Sequence, residues 1–76
     1  MIKVKIVNAK KASVRKNIMD PNENKDILGE LSIGDELEIN DKVRYYDWTD
    51  KEFYACHCQY GDGYIRTELV EPVKRH

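Results

Sequence analysis

The sequence predicts an all-β fold: a small barrel of five to six short strands, with an extended central hairpin arm and one 3₁₀ turn. Three observations carry this. Several segments alternate apolar and polar residues, the period of a half-buried strand. Turn-forming Gly, Asp and Asn fall between those segments about every 8–12 residues. No stretch reads convincingly as a helix.

Residues 2–7 alternate, with Ile2, Val4 and Ile6 on one face and Lys3 and Lys5 on the other. Ala12-Ser13-Val14-Arg15 is a shorter strand. Asn17 to Asp26 contains Asp20-Pro21-Asn22-Glu23-Asn24, which is turn chemistry and marks a loop. Ile27 to Leu31 is a strand whose Gly29 marks a bulge or a close backbone approach. Ser32-Ile33-Gly34-Asp35 turns the chain. Glu36 to Asn40 places Leu37 and Ile39 inward, and the same phase continues through Asp41, Val43 and Tyr45. This strand is expected to run to about Tyr46, with Asp47 to Lys51 as the tip of the arm. Glu52 to Tyr60 returns. Gly61-Asp62-Gly63 has the glycines of a tight hairpin turn. Tyr64 to Arg66 is a strand, Thr67-Glu68-Leu69 the 3₁₀ turn, and Val70 to Val73 a last strand. Pro72 lacks an N–H, so that strand belongs at an edge.

The chain of 76 residues is one domain, 1–76. It has room for a single thin core and none for a two-lobed catalytic cleft. No apolar run approaches the roughly 20 residues of a membrane span. The first residues alternate in polarity and lack the apolar block of a secretory signal, so a cytoplasmic location is expected. An extracellular or cell-wall location would require the chain to be an excised fragment.

Thirteen basic and fourteen acidic residues nearly cancel. Lys3, Lys5, Lys10, Lys11, Arg15 and Lys16 put six positive charges in the first sixteen residues, with no acid among them. Such a segment is either a phosphate-binding footprint or a solvated strand edge whose lysines discourage edge pairing. The acidic remainder and the separation of the aromatics from these cations argue against nucleic acid.

Cys56 and Cys58 flank His57. In a strand the two thiols point one way with parallel Cβ vectors, which is wrong for a disulfide. His57 points the other way, so no metal site is expected and the thiols read as reduced core residues. No nucleophile–base pair or phosphate loop is present, so no enzyme activity and no cofactor are expected.

Together these segments resemble the bacterial Src-homology-3-like (SH3-like) family over about residues 4–73. Ala12-Ser13-Val14-Arg15 is similar in spacing to that family's Leu-Asn-Val-Arg strand. Ile27 to Ile39 resembles its pattern of two apolar residues, Gly, a spacer, Leu, two spacers, Gly and an alternating strand. Gly63-Tyr64-Ile65, with Leu69 following, looks like its closing Gly-Trp-Val block and 3₁₀ turn. Ala12 stands where the family has a larger residue, Tyr64 where it has tryptophan, and the arm from Asp41 to Lys51 is longer.

The resemblance implies a non-enzymatic binding module for a peptide, peptidoglycan or protein partner. Its groove would be lined by residues near Asn17 to Asn24 and by Tyr46, Trp48, Tyr54 and Tyr64. The residues themselves point to the same arm: Tyr45, Tyr46, Trp48, Phe53 and Tyr54 crowd five of seven aromatics into ten residues. Tyrosine and tryptophan are enriched at interfaces. The candidate partner-binding residues are therefore Tyr45, Tyr46, Trp48, Tyr54 and Tyr64. Trp48 has two readings, an exposed anchor or a cap on one end of the barrel. A second reading of the whole chain is a free-standing intracellular protein of a phage or mobile element, acting on one protein partner as inhibitor, adaptor or virion component. The chain is expected to be a monomer or a strand-paired homodimer.

Overall fold

A computed structural model describes residues 1–19 and 26–73. The strands are β1 (Ile2–Ile6), β2 (Lys11–Arg15), β3 (Ile27–Ser32), β4 (Glu36–Tyr46), β5 (Glu52–Cys58), β6 (Gly61–Arg66) and β7 (Val70–Pro72). Thr67–Leu69 forms the 3₁₀ turn as expected. The all-β fold and the long arm stand, but the strands among the described residues number seven rather than five to six. Each of the short terminal pieces makes its own ladder. Of the loop expected over Asn17 to Asp26, residues 20–25 lie outside the described residues.

All seven strands form one antiparallel sheet in the order β3-β2-β6-β5-β4-β1-β7. The sheet wraps around one core. Val4 and Ile6 of β1, Ala12 and Val14 of β2, Leu31 of β3, Leu37 and Ile39 of β4, Cys56 of β5 and Ile65 of β6 form a single buried cluster. β1 and β3 lie near opposite ends of the strand order, so only a strongly curled sheet brings Leu31 into one buried cluster with Val4 and Ile6. Backbone bonds near the β3–β4 turn help hold this curl: Gly34 N–H donates to the Ile6 carbonyl at 3.0 Å, and Ile6 N–H donates to Asp35 at 2.9 Å. Among the described residues no ladder joins β3 to β7, so the barrel is not closed by strand pairing. Among the described residues β7 is an edge strand, paired only with β1 through Val4↔Pro72 and its neighbours. An edge tolerates the missing N–H of Pro72.

Two local expectations are corrected. The β5–β6 turn is Gln59-Tyr60, not Gly61-Asp62-Gly63, and the return strand ends at Cys58. Gly61 follows the turn at φ 99°, a left-handed conformation that costs glycine little. Gly63 lies inside β6, where a β-carbon would sit 2.7 Å from the Arg15 carbonyl oxygen and 2.9 Å from Val14 Cγ1. Its role is close strand approach.

The second correction concerns β4. Its pairing with β5 runs Glu38↔His57, Ile39↔Cys56, Asn40↔Ala55, then resumes at Tyr45↔Phe53 and Tyr46↔Glu52. The strand advances five positions while its partner advances two, so three extra residues are inserted. An odd insertion reverses the in–out alternation. Tyr45 therefore does not continue the inward phase of Leu37 and Ile39. It faces outward.

Candidate functional site: the aromatic arm

Directly paired residues in a sheet share a face. Phe53 pairs with Tyr45 on one side and Arg66 on the other, and Ala55 pairs with Tyr64. Tyr54 pairs with Ile65, which is fully buried in the core. The arm thus has two faces. Tyr45, Phe53, Tyr64 and Arg66 belong to the outer one. Tyr46, Glu52 and Tyr54 belong to the inner one, where Tyr54 packs against the core cluster.

On the outer face Tyr45 and Tyr64 meet edge to face, with ring centroids 5.3 Å apart and planes at 68°. This arrangement places a positive ring edge on a negative ring face. Phe53 beside them is only 2% exposed, yet it is not part of the main core. It shares a cavity of about 140 Å³ with Arg15, Asn17, Ile18, Asp47, Trp48, Lys51 and Arg66. Ile18 is also buried. Phe53 and Ile18 are thus a satellite apolar cluster on the outer face, bordered by the arm tip.

Asp47 fixes that tip. Its Oδ1 accepts from the Thr49 amide at 2.8 Å, the Thr49 hydroxyl at 2.7 Å and the Lys51 amide at 2.9 Å. The Asp47 amide donates to the Lys51 carbonyl at 3.0 Å, and Asp50 takes φ 65° to complete the reversal. Desolvation pushes the Asp47 carboxyl up, but these donors and the nearby Lys51 charge outweigh it, and the carboxyl lies below its ordinary range. Trp48, inside this bonded loop, remains 54% exposed. It lines the cavity and also presents much of its surface to solvent.

On the inner face Arg44 lies 4.4 Å above the Tyr54 ring and 3.6 Å from Glu52. The Tyr46 hydroxyl donates to Glu52 at 3.1 Å. That bond and the carboxylate charge push the phenol above its usual value. The five sequence-predicted residues are therefore divided: Tyr45, Trp48 and Tyr64 lie toward the outer face, Tyr46 and Tyr54 toward the inner. They do not line one groove. Arg15, Lys51, Phe53 and Arg66 join the outer group, and the sequence did not single them out for it. Asn17 lines the cavity, while Asp20 to Asn24 lie outside the described residues.

The thiols are free; Cys56 is buried and Cys58 half-buried. Burial, then the neighbouring Cys58, pushes Cys56 up to about 12. His57 faces outward and pairs with Asp62 at 2.7 Å. Among the described residues no group of His, Cys, Asp and Glu is arranged to hold a metal. Two of the N-terminal lysines are paired with acids: Lys3 with Glu36 at 3.8 Å and Lys5 with Glu71 at 3.5 Å. No helix among the described residues is long and apolar enough to cross a membrane.

Comparison with family models, curated proteins and solved structures returns no match.

Proposed function

We propose that this chain is a non-catalytic binding module that recognises a peptide or protein partner through the outer face of the β4–β5 arm. One observation carries the reading: Trp48 is more than half exposed while the loop that holds it is tied by three hydrogen bonds to a single carboxylate oxygen. An apolar side chain on a mobile loop loses freedom when it binds. A tryptophan presented on a bonded tip has already lost much of it, which favours affinity. Tryptophan and tyrosine are also the residues most often found at binding hot spots.

The Tyr45–Tyr64 pair extends this surface, and the satellite cavity gives it a recess. The ion pairs of Lys3 and Lys5 lower the appeal of the basic first strand as a phosphate track and favour a protein partner over nucleic acid. The resemblance to bacterial Src-homology-3-like domains adds peptidoglycan peptides as a ligand class to test. Backbone-amide NMR separates the two ligands. Shifts at Trp48, Tyr45 and Tyr64 with soluble peptidoglycan fragments assign wall recognition. Shifts at the same residues only with peptides selected by display assign a protein partner. Shifts confined to other surfaces overturn the reading.

A further inference from the structure

We infer that Tyr60 and Asp35 hold the open edge of β3 shut, so that it does not pair with the same strand of a second copy. The sheet ends at β3 and β7. A strand at the end of a sheet offers unpaired N–H and C=O groups to any further strand.

The ladder shows which groups of β3 face outward. Ile33 N–H donates to the Lys10 carbonyl at 2.9 Å, one step beyond the pair Lys11↔Ser32. Bonded and unbonded pairs alternate in an antiparallel ladder. Ala12↔Leu31 and Val14↔Gly29 are therefore bonded pairs, and the N–H and C=O of Ser32 and of Glu30 point away from β2. Three of these four groups are taken within the chain. The Ser32 amide donates to Asp35 Oδ2 at 2.8 Å, and the Ser32 carbonyl accepts from the Asp35 amide at 2.9 Å. The Glu30 carbonyl accepts from the Tyr60 hydroxyl at 3.0 Å. Tyr60 also blocks by bulk. Its ring rests on Gly29, where a β-carbon would lie 2.6 Å from it. A glycine at this position is what lets the ring lie against the strand. Glu30 is exposed and adds charge. Two β3 edges paired antiparallel about Glu30 would set two carboxylates side by side, which is destabilising.

The other edge is blunted by different means. Val73 N–H donates to the Lys3 carbonyl at 3.0 Å and Val7 N–H to the Leu69 carbonyl at 2.8 Å, so Val70 and Pro72 face outward. Pro72 has no N–H, and β7 is left with the Val70 N–H as its outward donor. Pro72 cannot be displaced, whereas the Tyr60 side chain can. β3 is therefore the edge that substitution opens.

Substitution also separates charge from strap. Glu30→Thr removes the charge and keeps Tyr60 in place. Glu30→Thr with Tyr60→Ala removes both. Glu30→Thr with Gly29→Ala displaces the ring instead, a second route to the open edge should the loss of Tyr60 unfold the chain. Sedimentation velocity and amide shifts on dilution read the pairing. The native chain and Glu30→Thr are expected to show no concentration-dependent shift at residues 28–32 up to about 1 mM. Each double variant should dimerise at least about tenfold more tightly than Glu30→Thr, with shifts centred on position 30. In the native chain the Ser32 amide should exchange with solvent at least about tenfold more slowly than the Glu30 amide, which faces outward without an acceptor in β2. Concentration-dependent shifts at residues 28–32 in the native chain or in Glu30→Thr overturn the inference. Folded double variants that show no such shifts overturn it as well, and so does equally fast exchange of the two amides.

Discussion

The ring of Tyr60 lies directly on Gly29. A β-carbon at position 29 would fall 2.6 Å from Cε1, Cε2 and Cζ of that ring, and the Tyr60 hydroxyl donates to the Glu30 carbonyl at 3.0 Å. The β5–β6 turn is thereby fastened to β3, the edge strand at the end of the sheet opposite β7. An aromatic ring over a strand glycine covers backbone that the missing side chain leaves bare. In Gly29→Ala the methyl must push the ring aside and break the hydrogen bond. The expected cost is about 1–2 kcal/mol in chemical denaturation. In a Tyr60→Ala background the same alanine should cost nothing further, and a double-mutant cycle measures that coupling.

Gly63 is the harder case, because its neighbours cannot swing away. A methyl there meets the Arg15 carbonyl and Val14 Cγ1, which belong to the paired strand and the sealed core. Gly63→Ala should cost about 3 kcal/mol or more, clearly above Gly29→Ala. Equal costs for the two variants would contradict this packing.

Much of the fold was legible because alternation and turn residues are local signals. Ile2, Val4 and Ile6 read inward from the sequence, and Val4 and Ile6 are almost fully buried. Pro72 announced an edge. Gly29 announced a close approach, although its partner Tyr60 is too distant along the chain to be named from sequence. The arm's faces were not legible. Asp41, Val43 and Tyr45 continue the earlier rhythm, and only the pairing with β5 reveals the three-residue insertion. Phe53 and Ile18 were hidden for the same reason, since only the folded chain places both beside one cavity.

The insertion itself is testable. Removing Asp41, Lys42 and Val43 would bring Arg44 opposite Tyr54 and leave Tyr45 opposite Phe53 in an uninterrupted ladder. The shortened chain should fold with stability within about 1 kcal/mol of the parent, since shortening a surface excursion changes chain entropy little. Cross-strand NOEs between Tyr45 and Phe53 should persist. Their loss would mean that the three residues set the register of the arm.

The cysteines should differ in reactivity. Burial holds the Cys56 thiol at about 12, so almost none of it is thiolate near pH 8. Cys58 is only half-buried. A thiol-specific disulfide reagent should modify one sulfur per folded chain. Cys58→Ser should leave a chain that reacts only as it unfolds. Rapid modification of two thiols in the native protein would contradict the burial of Cys56.

Asp47 ties stability of the arm tip to pH. Its carboxyl is lowered in the folded chain, so its contribution is fully present above the unfolded value, about 3.9, and is lost as pH falls through the folded one. Trp48 is the sole tryptophan and sits inside the loop that Asp47 bonds, so its emission reports this step. The emission should change below about pH 4 before far-UV circular dichroism shows loss of the sheet. Asp47→Ala should loosen the tip at neutral pH and abolish that early change. It should leave the main core intact, because Asp47 lies outside the buried cluster. Trp48→Ala should also fold, and should cost at least about 2 kcal/mol of partner affinity. Asp47→Ala should weaken the same partner through lost preorganisation, with Trp48 still present. Full affinity in Asp47→Ala would show that the bonded tip contributes nothing to recognition, and unfolding of Trp48→Ala would show that the ring is needed for the fold.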